Sequence, residues 1–210
     1  MTEQLSSEKQ VDDSTRRAAI LDAARKRFAY YGFSKVTMDE IAADIGMGKA
    51  SLYYYFPTKE SLFQEVVRQE SNQFLSDIQS MIDDRIKPCD MLRQYALRRI
   101  EHFKNLANLR ALQFQQNSEV RLPFVELFND FKKQEVNLLQ QILVIGKKSG
   151  EFAISDPQHS AVIVMQMLYG PRAWILHSRE NKLDEETFLA FEQSAKEIVE
   201  IILNGIKKRK

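Results

Sequence analysis

The chain has 210 residues, 44% of them hydrophobic and 28% charged, which is the balance of a globular protein able to bury a real core. Only 7 Gly and 5 Pro occur, which favours helices over a many-turned sheet protein, and the single Cys89 excludes an internal disulfide. No apolar run approaches the roughly 18 residues a membrane-spanning helix needs, and the opening residues lack a signal-peptide pattern, so the expectation is a cytoplasmic protein with no membrane contact.

The net charge of +1 hides an uneven distribution. Residues 1–13 carry one Lys against four acids and read as a flexible polar arm. Residues 14–60 carry eight basic side chains against five acidic ones. Ser14 opens a first helix in which Ile20, Ala24 and Phe28 recur four apart, and Gly32 is its natural stop. Val36-Thr37-Met38-Asp39-Glu40-Ile41 then holds two start signals. Thr37 and Glu40 form a capping box, and Val36 and Ile41 occupy the positions of a hydrophobic staple. Gly46 and Gly48 keep this second helix short.

Ala50 to Phe56 is a short third helix, closed by Pro57, and Thr58 caps a longer fourth one carrying Leu62, Phe63, Val66, Val67, Phe74, Leu75 and Ile78. Pro88 marks the next turn. Helices then follow over about 91–103, about 106–116, from Pro123 to Gly150, from Asp156-Pro157 onward with a kink at Gly170-Pro171, and from Asp184 to the end. The fold class is all-α, with about nine helices.

Met38–Pro57 fits a helix-turn-helix at each position that packing constrains. Ile41, Ile45, Met47, Leu52 and Tyr55 fill the apolar slots, Ala42 sits where the helices approach, and Gly46 stands at the turn. Two ordinary core helices around a loop are the bland alternative. The tyrosine run argues against it: Tyr53, Tyr54 and Tyr55 point about 100° apart and cannot all face one core.

These residues carry a resemblance. Phe28-x-x-x-Gly32-Phe33-x-x-Val36-Thr37-Met38-x-x-Ile41-Ala42, followed by Gly46-Met47-Gly48-Lys49-Ala50-Ser51-Leu52-Tyr53-Tyr54-Tyr55-Phe56-Pro57-Thr58-Lys59-Glu60-x-Leu62, resembles the tetracycline-repressor (TetR) family over about residues 15–65. The resemblance implies a helix-turn-helix domain over 14–60 and a helical ligand-binding and dimerisation domain over 61–210. It also implies a homodimer that binds a palindromic operator in double-stranded DNA, represses transcription, and is released by a small, largely apolar effector.

Position by position, it implies that Thr37, Tyr53, Tyr55 and Lys59 hold phosphates while Lys49, Ala50, Ser51 and Tyr54 face base edges. Gly48 stands where family members often carry Ser or Thr, so one hydroxyl contact is missing. In the larger domain Phe103, Phe114, Phe124, Phe128, Phe131, Met165, Met167, Tyr169 and Trp174 are candidates to line an apolar pocket, or simply to fill the core. Arg172 is a candidate to neutralise an acidic ligand. The alternative regulator, controlled by a protein partner without a small-molecule effector, remains open. No His/Cys/Asp spacing suggests a metal, no cofactor is expected, and no phosphate-binding Gly loop, catalytic triad or carboxylate pair suggests an enzyme.

Overall fold

The structure, a computed structural model, describes residues 2–105, 108, 124–169 and 185–208. Eight α-helices lie among the described residues: α1 Thr2–Tyr31, α2 Met38–Asp44, α3 Lys49–Tyr55, α4 Lys59–Ser80, α5 Pro88–Asn105, α6 Val125–Lys148, α7 Pro157–Tyr169 and α8 Glu185–Ile206. A 3-10 turn, Phe33–Lys35, links α1 to α2, and no strand occurs among the described residues. No helix among them is long and apolar enough to cross a membrane.

The chain forms two compact units. The reading head comprises Met1–Glu70 and Ala107–Leu127, and the helical body Ser71–Leu106 and Phe128–Lys210. The division falls inside α4 rather than at 60/61, because the first half of α4 belongs to the core of the head: Phe63 packs edge-on against Phe28 at 5.0 Å and against Phe124 at 5.1 Å. Phe33 closes the aromatic group, 4.9 Å from Phe63 and 5.5 Å from Phe124. Each such ring pair is worth about 0.5–1.5 kcal/mol beyond its burial. Ile20, Ala24, Phe28, Ile41 and Leu62 complete this core, so the stripe read from α1 is the face it buries.

Two boundaries differ from the sequence reading. The first helix begins at Thr2, not Ser14: residues 2–13 contain no Gly or Pro and are rich in helix-tolerant Glu, Gln and Lys, so nothing stops the helix from running back. Pro88 opens α5 instead of standing in the turn before it, since a first-turn proline forgoes only an amide that has no helical partner.

In the body, α8 packs on α5 and on α7. Arg93 of α5 grips Glu200 of α8 at 2.5 and 3.0 Å. Asp156 caps α7 by accepting from the amides of Gln158 and His159 at 2.9 and 3.1 Å, as its sequence position suggested. Past α6, Gly150 adopts φ +74° and turns the chain back, so that Phe152 lies against Gly146. Residues 151–153 are then laced to the end of α8. Ala153 donates to the Ile206 carbonyl at 2.7 Å, and Lys208 donates to that of Glu151 at 3.0 Å. The expected Gly170-Pro171 kink, the helix over 106–116 (Asn108 apart) and the caps at Pro123 and Asp184 fall outside the described residues.

Candidate nucleic-acid interface

The helix-turn-helix is built from local signals. Thr37 Oγ1 accepts from the Glu40 amide at 3.3 Å, while the Glu40 carboxylate accepts from the Thr37 amide at 2.8 Å, so the capping box is complete. The Thr37 amide, together with the Thr37 hydroxyl that donates to the same carboxylate at 2.8 Å, holds the Glu40 carboxyl below its ordinary range. After α2, Gly46 takes φ +62°, a conformation costing a residue with a Cβ about 1–2 kcal/mol. The turn closes as Gly46 donates to the Ala43 carbonyl at 3.1 Å and Met47 to that of Ala42 at 2.9 Å, the paired bonds of a Schellman motif. Ile41, Ala42 and Leu52 are buried, whereas Ile45, Met47 and Tyr55 are half-buried, so three of the six packing positions carry the dry contact.

With Leu52 at 0% exposure, the rest of α3 faces outward. Lys49, Ala50, Ser51 and Tyr53 are exposed, and Tyr54 is the most exposed of the three tyrosines at 78%. Lys49 Nζ sits 2.9 Å from the Asp39 carboxylate across the turn, and this partner raises the Lys49 pKa above its ordinary value. Tyr55 stacks edge-on with Tyr54 at 5.3 Å, and a hydrogen bond to Asp13 of α1 raises its hydroxyl pKa. Gly48 precedes α3 in extended backbone, with no side-chain cap bond and open space around its Cα.

Lys59 behaves differently from its neighbours. Its ammonium turns inward, donating to the carbonyls of Phe33 and Val36 at 3.0 Å each and standing 4.5 Å from the Phe33 ring. Only one of its three N–H groups is left for an outside acceptor. Behind the turn, Arg27 of α1 forks onto Asp44, whose pKa it lowers, and reaches Glu40 at 3.5 Å. Sequence reasoning missed the acidic partners Asp13, Asp39 and Asp44. For Asp39 and Asp44 the signal was the five acids lying among eight bases over 14–60; Asp13 lies just before that segment.

Residues 20–66 match the family model for bacterial regulatory proteins of the tetR family. A solved transcriptional regulator from Cytophaga hutchinsonii is 36% identical, with 90% of this chain and 97% of that one covered and a TM-score of 0.79. The chain belongs to the TetR family. Like the TetR regulators it resembles, it is a DNA-binding transcription regulator. Among curated TetR-type relatives, the transcriptional regulator RutR of Escherichia coli K12 is 27% identical over 202 residues, 93% of this chain and 92% of RutR. The fatty acid metabolism regulator protein of Bacillus subtilis is 25% identical over 198 residues, 90% of this chain and 95% of that protein.

In the body, Phe128, Phe131 and Met165 are buried, Tyr169 is half-buried, Met167 is exposed, and Phe124 belongs to the head. Phe114, Arg172, Trp174 and the Phe103 side chain lie outside the described residues. Sequence reasoning missed the strongest polar cluster there. Glu135, at 0% exposure, accepts from Tyr95 Oη at 2.5 Å, Arg99 Nε at 2.7 Å and Tyr169 Oη at 2.9 Å. A signal existed: Glu135 interrupts the apolar stripe Phe128, Phe131, Leu138, Ile142 at helical spacing. No group of His, Cys, Asp and Glu among the described residues is arranged to hold a metal.

Proposed function

We propose that the protein represses transcription in the cytoplasm as a homodimer, reading a palindromic operator with α3 and leaving it when a small molecule binds the helical body. One observation carries the reading of the DNA end: α3 buries Leu52 and presents Lys49, Ala50, Ser51, Tyr53 and Tyr54 on its outer side. Such a helix can enter a major groove, where Lys or Ser addresses base-edge acceptors and a tyrosine ring meets a thymine methyl. Thr37, Tyr53, Tyr55 and the remaining N–H of Lys59 are the proposed phosphate contacts, and Lys49, Ala50, Ser51 and Tyr54 the base contacts.

A single head reads too few base pairs for useful specificity, whereas two heads about 34–36 Å apart read a palindrome. Exposed Leu189 and Ile201 on α8, with Ile163 and Met167 on α7, supply apolar surface for a second copy. Control by a small molecule is carried over from the family resemblance; one relative is named as a regulator of fatty acid metabolism.

A gel shift against the DNA upstream of the protein's own gene tests the reading. Binding at moderate salt, with a palindromic footprint, is the expected result, and no binding to that or any adjoining promoter overturns it. Within it, Lys49→Ala changes sequence preference, while Lys59→Ala weakens binding to all sequences alike and flattens the salt dependence by about one unit.

A further inference from the structure

The helical body places a guanidinium where a protein does not place one idly. Arg99 is 6% exposed and Glu135 is fully buried. Withdrawing both charges from water carries a large desolvation cost that their mutual attraction must offset. Burial works against the Arg99 charge, yet the Glu135 carboxylate and the two tyrosines hold it firmly protonated. Its packing is as specific as its charge: the guanidinium carbon stands 3.9 Å from the centroid of the Tyr169 ring.

The hydrogen-bond inventory of this cluster is lopsided. The Glu135 oxygens are satisfied by three donors, and burial together with Glu135 keeps the Tyr95 hydroxyl protonated by raising its pKa. Among the described residues, by contrast, Arg99 donates only through Nε, and none accepts from its two terminal nitrogens. Those nitrogens carry four N–H groups in a planar fork, the geometry that matches a carboxylate. A second cation lies near the same ring. Lys132, half-buried on α6, holds its ammonium 4.3 Å from the Phe128 ring and 6.0 Å from the Tyr169 ring. The positions around them on the same helices, Leu92, Phe131 and Leu139, are buried and apolar. In the open polar hollow lined by Gln73, Asp77 and His102, by contrast, Asp77 already binds Arg98 at 2.7 Å and His102 at 2.9 Å.

The geometry points to an effector that is a small carboxylate on an apolar body, its carboxylate seated on the terminal nitrogens of Arg99 and its body against the ring of Tyr169. This rests on the reading of the protein as an effector-released regulator and names the chemistry of the effector. A purely structural ion pair, fixing how α5 and α6 pack, is the competing account, and it predicts no preference between an acid and its amide.

Matched probes separate the two. The full chain is melted at pH 7.5, where carboxylic acids are ionised, with benzoate, phenylacetate and octanoate, and with benzamide, phenylacetamide and octanamide. At least one acid raises Tm progressively with its concentration, and its amide needs about tenfold more for the same shift. The double substitution Arg99→Met with Glu135→Leu removes both charges together, melts cooperatively, and loses the acid preference. The inference is overturned if no acid raises Tm, if amides match their acids, or if the double variant keeps the preference. If that variant does not fold, the acid-to-amide ratio of the unaltered protein decides alone. The same protein is run in the operator gel shift. Failure to bind DNA sinks the regulator reading, while DNA binding without acid preference sinks only this inference.

Discussion

In the reading head the pairs on the outer side lie in water: Lys49 and Asp39 are 61% and 60% exposed, and Arg25 and Lys26 share an exposed Asp22. In the helical body the Arg99 and Glu135 side chains are 7% and 0% exposed, ringed by Tyr95 and Tyr169. The difference follows from what each region has to do. Exposed pairs contribute little to stability and give way readily, so the basic side chains of the head can exchange their carboxylates for phosphates. A buried pair cannot be left half made. It persists only where the surrounding helices hold both partners, and a ligand that uses it meets groups already in place.

That contrast breaks most visibly at single charges. Glu135→Leu strands a buried guanidinium and is expected to lower unfolding free energy by about 3–5 kcal/mol in urea titrations, with Arg99→Met in the same chain recovering most of it. Asp39→Leu is expected to stay within about 0.5 kcal/mol. Equal losses at the two sites would erase the distinction.

Glycines sharpen it next. A Cβ on Gly146 would stand 2.1 Å from the Phe152 ring, so Gly146→Ala is expected to cost about 1–3 kcal/mol, read as a lower denaturation midpoint. On the DNA side, Asp39→Asn frees Lys49 and removes a negative charge beside it. Binding to unrelated DNA should tighten, and the dependence of log affinity on log salt should steepen by about one unit in fluorescence titrations.

Acid offers a subtler probe. Glu40 and Asp44 in the head are held below their ordinary values of 4.5 and 3.8, by Thr37 and by Arg27 respectively. Asp83 in the body is held at about 2 by Arg85. A depressed carboxyl pKa stabilises the folded state above its unfolded value, and that contribution fades as pH falls through the folded one. Melting temperature should therefore hold steady down to about pH 4.5 and decline from there toward pH 2; a fall beginning near pH 6 would contradict this. Smallest of all, Gly48→Ser gives α3 a capping oxygen in open space, worth a few tenths of a kcal/mol in a thermal melt.

What could be read from the chain divides along the same line. The helix-turn-helix is specified by neighbours: Thr37 and Glu40 are three residues apart, and Gly46 needs only its own turn. Residues that close in sequence leave a pattern, and the tyrosine run of α3 leaves a distinctive one. Arg99 and Glu135 are 36 residues apart, and Tyr169 a further 34 from Glu135, so their meeting depends on how α5, α6 and α7 pack. In the string Lys-Lys-Gln-Glu-Val, Glu135 looks like one more solvated side chain. Lys59 was half legible for a related reason: its place at the start of a helix suggests phosphate, and only the fold shows that the Phe33 and Val36 carbonyls take two of its three N–H groups.

The lacing of residues 151–153 to the end of α8 has a practical corollary for handling the protein. Phe152 pairs with Lys207 as an isolated antiparallel bridge, so Ile206, Lys207 and Lys208 are tied into the fold. A stop codon placed before Ile206 would remove the acceptor for the Ala153 amide and the donor to Glu151, loosening the loop that seats Phe152 on Gly146. A protease that trims the chain back past Lys207 would therefore leave a protein that melts earlier while its reading head stays intact.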